Sequence, residues 1–159
     1  MPKNNYWKLS AYESAKLIKD GSISAEDLVS SCIERVNQTN NKINAIVDNL
    51  SEPALEKAHE LDKLTKKGKF KGPLHGVPIT IKENIDQKGY ATPNGLEALK
   101  DLIAPGNAPV VDNLEKDGAI VIGRTNTPEF SMRGTTDNLI HGRTSVSYTH
   151  LTLPTIVSV

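Results

Sequence analysis

The residues with the clearest chemical potential sit in Val77-Pro78-Ile79-Thr80-Ile81-Lys82, where an apolar row with a period of two ends on a lysine. In a strand, Val77, Ile79 and Ile81 point one way and Thr80 and Lys82 the other, so the amine is delivered to the face opposite the apolar row. Two chemistries fit. A lysine commonly ends a strand with its stem on apolar surface and its ammonium in water. Alternatively, burial lowers its pKa and leaves a neutral amine able to take a proton from a hydroxyl nucleophile.

The other titratable and turn residues read as structure. Glu83 either pairs with a charged amine or faces solvent. His59, His75 and His141 show no metal-ligand spacing and no acidic partner in the pattern, and His75, in a Pro-Leu-His-Gly turn, reads as structural. Asn126 and Asn138 read as turn formers, and Gly123 and Gly134 as backbone punctuation rather than a phosphate cradle. The single cysteine, Cys32, has no disulfide partner and reads as a small buried hydrophobe in a reducing, cytoplasmic setting. No cofactor and no metal is expected.

Composition sets the frame that must position Lys82. The 159 residues are 37% hydrophobic, enough for one core. Nineteen Lys and Arg balance nineteen Asp and Glu, which argues against a nucleic-acid arm or a disordered acidic tail. Five lysines between Lys63 and Lys71 read as a solvated helix end and loop. No apolar run is long enough for a membrane span or a secretory signal, so neither a membrane nor a nucleic acid is expected as partner.

Punctuation then divides the chain into elements. Ser10-Ala-Tyr-Glu13 forms a capping box that opens a first helix, stopped by Gly21. A second helix starts at Ser24 and runs to about Asn37, with Leu28, Cys32, Ile33 and Val36 on one face. Ala45 to Val47 is a short strand, and a third helix spans about Pro53 to Leu64. Past the turn-rich Gly72 to Gly76 come the Val77–Lys82 strand, a helix around Ala108 to Asp117 stopped by Gly118, and the strand Ala119 to Ile122. Strand, helical crossover and strand make a right-handed βαβ unit with parallel pairing, so the fold class is α/β.

Residues 145–159 contain no Asp, Glu, Lys or Arg, although residues 1–144 carry all 38 of them. The stretch Val146-Ser-Tyr-Thr-His-Leu-Thr-Leu-Pro-Thr155 resembles the in-frame translation of a transposase-type sequencing adapter. Residues 145–159 are therefore expected to be a non-native tail, and residues 1–144 the N-terminal portion of a single domain.

Gly72-Pro-Leu-His-Gly-Val-Pro-Ile-Thr-Ile-Lys-Glu-Asn84 resembles the lysine segment of the amidase signature family. Tyr90-Ala-Thr-Pro-Asn-Gly95, Asp117-Gly-Ala-Ile-Val-Ile-Gly-Arg-Thr-Asn-Thr-Pro-Glu-Phe130 and the stretch from Gly134 to Gly142 extend the likeness over most of residues 7–144. The resemblance implies the mixed-sheet fold of that family, here truncated before the nucleophile segment. It also implies a Ser, cis-Ser, Lys triad that cleaves a carboxamide through an acyl-enzyme, with Lys82 matching the lysine. In the family both serines and the oxyanion donors lie in a Gly/Ser-rich segment downstream of the match. Ser145, Ser147 and Ser158 lack flanking glycines and receive no nucleophilic role. The chain as it stands is thus expected to be inactive. A small-molecule amide is the expected substrate, with a homodimer or amidotransferase partner subunits in the full-length protein. The alternatives are an A-subunit-type glutamine amidotransferase component and a non-catalytic binding or regulatory fragment.

Overall fold

The computed structural model describes residues 5–145, so of the expected tail 145–159 only Ser145 is described and the residues from Val146 onward lie outside the described part. Helix α1 (Ala11–Lys19) opens on the expected capping box: Ser10 N–H donates to Glu13 Oε2 at 2.9 Å and Glu13 N–H donates to Ser10 Oγ at 3.2 Å. Gly21, at φ 72°, closes it. Helix α2 (Ala25–Ile43) is capped by Ser24, and its first two amides are further held by Asp62, 2.8 Å from Ala25 N and 3.1 Å from Glu26 N.

α2 overruns the expected end near Asn37 by more than a turn. It stops where Asn44 adopts the left-handed conformation, φ 54°. Just before that stop, Asn40 Oδ1 accepts from Ala45 and Ile46 N–H and so turns the chain into β1 (Ile46–Asn49). A polar helix tail ended by asparagine carries no glycine signal, which is why sequence alone places the boundary short.

Helix α3 (Ser51–Thr65), strand β2 (Pro78–Lys82), helix α4 (Pro109–Lys116) and strand β3 (Ile120–Thr125) follow. The strand order is β1-β3-β2, with β3 parallel to β2 and antiparallel to β1. The expected βαβ unit is therefore present, inside a mixed sheet. β3 carries its apolar residues to both faces: Ile120 and Ile122 join Leu28, Val29, Ala58 and Leu61 from the α1–α3 layer, whereas Val121 packs with Ile81 and with Val111 of α4. A strand buried on both faces is what a parallel crossover demands.

β3 also runs three residues beyond the expected end at Ile122, through Gly123. The glycine is required there because a Cβ would sit 2.6 Å from Ile46 Cγ2 and 3.0 Å from the Asp48 carbonyl, so β1 approaches β3 only over a bare backbone. Cys32 packs partly buried against the α1–α3 core, and burial pushes its thiol pKa up, which suits an inert side chain. The lysines from Lys63 to Lys71 are exposed as expected. Among the described residues no helix is long and apolar enough to cross a membrane.

His75 ties the end of α3 to the turn before β2. Its Nδ1 accepts from Lys71 N–H at 3.0 Å, and its Nε2 lies 3.0 Å from Thr65 Oγ1 and 3.2 Å from the Leu61 carbonyl. Burial lowers its pKa below the ordinary value near 6.5, because the neutral ring fills this site and the charged ring loses its water. The unfolded chain therefore binds the proton more readily, and stability falls as pH drops through about 6.5 towards the lower folded value. Denaturant midpoints measured from pH 8 to pH 5 are expected to show this loss, and His75→Gln to remove it.

Candidate functional site

Lys82 is the last residue of β2 and pairs with Thr125, the last residue of β3, so both parallel strands end at one place. Clefts at the carboxyl ends of parallel strands are where open α/β sheets gather polar groups. Here the chain leaving β2, residues 83–91, meets the chain leaving β3, residues 126–131. The Lys82 stem is half-buried, and its Nζ lies 3.2 Å from Ser131 Oγ. Asn84 Nδ2 donates to the same oxygen at 3.0 Å, and Thr127 Oγ1 lies 2.9 Å from it. The Lys82 amine is thus partly covered and hydrogen-bonded to a serine hydroxyl.

Ser131 reaches Lys82 through an unusual turn. Phe130 and Ser131 have φ of 50° and 57°, the left-handed region that side chains other than glycine enter at a cost of about 1–2 kcal/mol per residue. The turn is braced on the Tyr90–Gly95 side. Phe130 N–H donates to the Asn94 carbonyl at 2.8 Å, and Gly95 lies so close that a Cβ there would come within 2.9 Å of Glu129 N. Strain of this kind persists only where neighbouring structure over-determines it.

The corner after Lys82 is fixed by Arg124, whose side chain is fully buried. One guanidinium nitrogen reaches Asp48 Oδ2 at 3.0 Å and the Ala91 carbonyl at 2.5 Å, while the other reaches the Glu83 and Ile85 carbonyls at 3.0 and 3.3 Å. Two of these carbonyls flank Asn84. The planar fork of Arg suits this task, since several acceptors converge on one delocalised cation.

Glu83 corrects the sequence reading. It neither pairs with an amine nor faces solvent; it is buried, with Oε1 2.6 Å from His141 Nε2. His59 likewise lies 3.3 Å from Glu26 Oε2, at the surface. The sequence pattern shows no acidic partner for these two histidines, and the fold supplies one for each from 58 and 33 residues away in the chain. Asn126 and Asn138 serve backbone as expected. Asn138 Nδ2 donates to Asn126 Oδ1 and to the Thr127 carbonyl, and its Oδ1 accepts from Ile140 and His141 N–H. Together they hang residues 138–144 on the end of β3. Among the described residues, no group of three His, Cys, Asp or Glu could hold a metal ion.

Ser131, Asn84, Thr127 and Arg124 surround or brace the candidate site, and sequence reasoning does not single them out. An arginine between a glycine and a threonine at the end of an apolar strand is the one available signal, since a cation there must be buried with partners. Nothing in the sequence marks Ser131.

A lysine amine held at the joined ends of two parallel strands, with hydroxyl and amide groups around it and a strained turn beneath, is the candidate site of this chain. Comparison with known proteins gives the chain a family. The family model described as Amidase matches residues 27–152, and the chain belongs to this amidase family. It is 54% identical over 143 residues to an indoleacetamide hydrolase of Bradyrhizobium diazoefficiens, covering 90% of this chain and 27% of that protein. It is 37% identical over 131 residues to the A subunit of the glutamyl-tRNA(Gln) amidotransferase of Natranaerobius thermophilus, covering 82% of this chain and 27% of that protein. Among solved structures, a fatty acid amide hydrolase superposes with a TM-score of 0.86 at 29% identity, covering 91% of this chain and 26% of that one. The chain thus spans about a quarter of the length of the relatives it matches.

Arg124→Met is expected to destabilise the fold by about 3–5 kcal/mol in urea denaturation, because the Ala91, Glu83 and Ile85 carbonyls lose their donor together with Asp48. Asp48→Asn is expected to cost less, because Asp48 is 35% exposed and the amide keeps an acceptor for the guanidinium.

Proposed function

We propose that this chain carries the lysine part of an amide-hydrolysing site, with Lys82 as the base. The observation that supports it most is the amine itself, held 3.2 Å from a serine hydroxyl at the carboxyl end of β2. An amine acting as base at this place would draw a proton from a hydroxyl nucleophile and pass it to the leaving nitrogen, which is the activated-nucleophile scheme with lysine as base. On this reading Lys82 is the lysine of a Ser, cis-Ser, Lys triad that acts on a small linear carboxamide. The two serines and the oxyanion donors would be supplied by sequence that follows the described residues. The 54% identity to an indoleacetamide hydrolase supports a primary carboxamide as substrate class. We place the protein in the cytoplasm on the strength of its lone, unpaired cysteine.

The test joins residues 1–144 to the remaining part of the Bradyrhizobium indoleacetamide hydrolase and measures ammonia release from indoleacetamide. The chimera is expected to turn over, and Lys82→Ala to lose about 10³-fold or more in kcat while its circular dichroism stays unchanged. Retained turnover in the variant overturns the role.

The second reading, an amidotransferase component that hydrolyses glutamine and passes ammonia to partner subunits, draws on the 37% identity to the glutamyl-tRNA(Gln) amidotransferase. Ammonia release from glutamine that requires added partner subunits would favour it over a free-standing amidase. We also take residues 145–159 to be non-native. Resequencing the locus from intact DNA is expected to read different residues after codon 144, and recovery of the same fifteen would reject the idea.

A further inference from the structure

We infer that Ser131 is a positioning residue for Lys82: its hydroxyl, carried on a left-handed turn, tethers the lysine amine at the mouth of the site. The consequence for catalysis rests on the reading of Lys82 as base, whereas the tether itself does not.

A serine oxygen has two lone pairs and one hydrogen. At Ser131 all three have partners. The lone pairs face two nitrogen donors, Lys82 Nζ at 3.2 Å and Asn84 Nδ2 at 3.0 Å. The hydrogen then goes to Thr127 Oγ1 at 2.9 Å, which is free to accept because the Thr127 hydroxyl donates to the Pro128 carbonyl at 3.1 Å. The polarity of this chain is therefore fixed at its far end by a carbonyl that can only accept, and Ser131 is left facing Lys82 as an acceptor. Among the described residues Ser131 Oγ is the one hydrogen-bond partner of Nζ.

The backbone supports the same assignment. Two successive residues other than glycine, Phe130 and Ser131, are held at positive φ. The Phe130 ring is not what the turn buries, since that residue is 57% exposed. What the turn does secure is the Ser131 hydroxyl, aimed back at β2 with Asn84 Nδ2 and Thr127 Oγ1 hydrogen-bonded to it. A lysine has four rotatable side-chain bonds, so an amine without a tether samples many positions, and small displacements of a reacting group lower its rate steeply. Asn84 in turn stands between the Glu83 and Ile85 carbonyls that Arg124 holds.

The test uses the full 159-residue chain with isotope-labelled lysine. The order of the Lys82 Cε–Nζ segment is read by NMR relaxation in the parent, in Ser131→Gly and in Ser131→Asn. Glycine removes the hydroxyl and accepts φ 57° without strain, so the fold is kept; asparagine tolerates this conformation and offers an acceptor oxygen. Lys82 is expected to be ordered in the parent, to become as mobile as exposed Lys88 in the glycine variant, and to recover in part with asparagine. Equal mobility of Lys82 in parent and glycine variant overturns the tether. In the chimeric enzyme, Ser131→Gly is expected to lower kcat about 10- to 100-fold with KM within about twofold. An unchanged kcat there, in a chimera that Lys82→Ala inactivates, overturns the positioning role and leaves Lys82 as base. A chimera indifferent to Lys82→Ala sinks the base while the NMR result still decides the tether.

Discussion

A fully desolvated guanidinium is the constraint around which this part of the molecule is arranged. Arg124 has no access to water, so the two nitrogens at the end of its fork must find acceptors inside the protein or leave a charge stranded at a cost of several kcal/mol. They find them on three separate stretches of chain: Asp48 on β1, the Glu83 and Ile85 carbonyls just past β2, and the Ala91 carbonyl on the loop beyond. Those groups cannot move apart without uncovering the cation. Loop 83–91, which has no regular structure of its own, gains a fixed course in this way, and Tyr90 covers the guanidinium at 5.8 Å.

The Lys82 site is then a consequence of two strand ends and two braced turns. Parallel pairing brings the ends of β2 and β3 together; the Arg124 cluster sets the direction of the chain leaving β2; the Asn94–Gly95 turn and the Asn126–Asn138 pair set the chain leaving β3. These supports are directional hydrogen bonds, to backbone and to side chains, which define position more tightly than apolar contact does. Buried polar atoms without partners among the described residues include Glu83 Oε2 and Asn84 Oδ1, which immediately follow Lys82. Native interiors rarely leave such atoms unpaired, and where they do the place is often functional.

The segment from His141 to Ser145 runs back to the first half of the chain. His141 meets buried Glu83, Asn44 Nδ2 donates to the His141 carbonyl at 2.7 Å, and Ser145 N–H donates to the Ile43 carbonyl at 2.7 Å. The end of α2, the corner after β2 and the stretch beyond β3 thus converge beside the lysine. Asn44, which stops α2, is also the residue that anchors this returning chain.

What the sequence determined alone is whatever depends on neighbours in the chain. The Ser10–Glu13 box, the Gly21 stop, the apolar alternation that ends on Lys82 and the helical crossover to β3 are local patterns with periods of 2 and 3.6, and all were legible. So was the family, because a long run of matched residues needs no coordinates. Tertiary structure decided the rest: that Glu83 faces His141, that an arginine fork organises the loops, and that Ser131, 49 residues from Lys82, supplies the oxygen its amine meets. Such contacts pair single polar atoms across the fold and leave no period in the sequence, since any of several side chains could have made them and only the folded backbone selects which ones do.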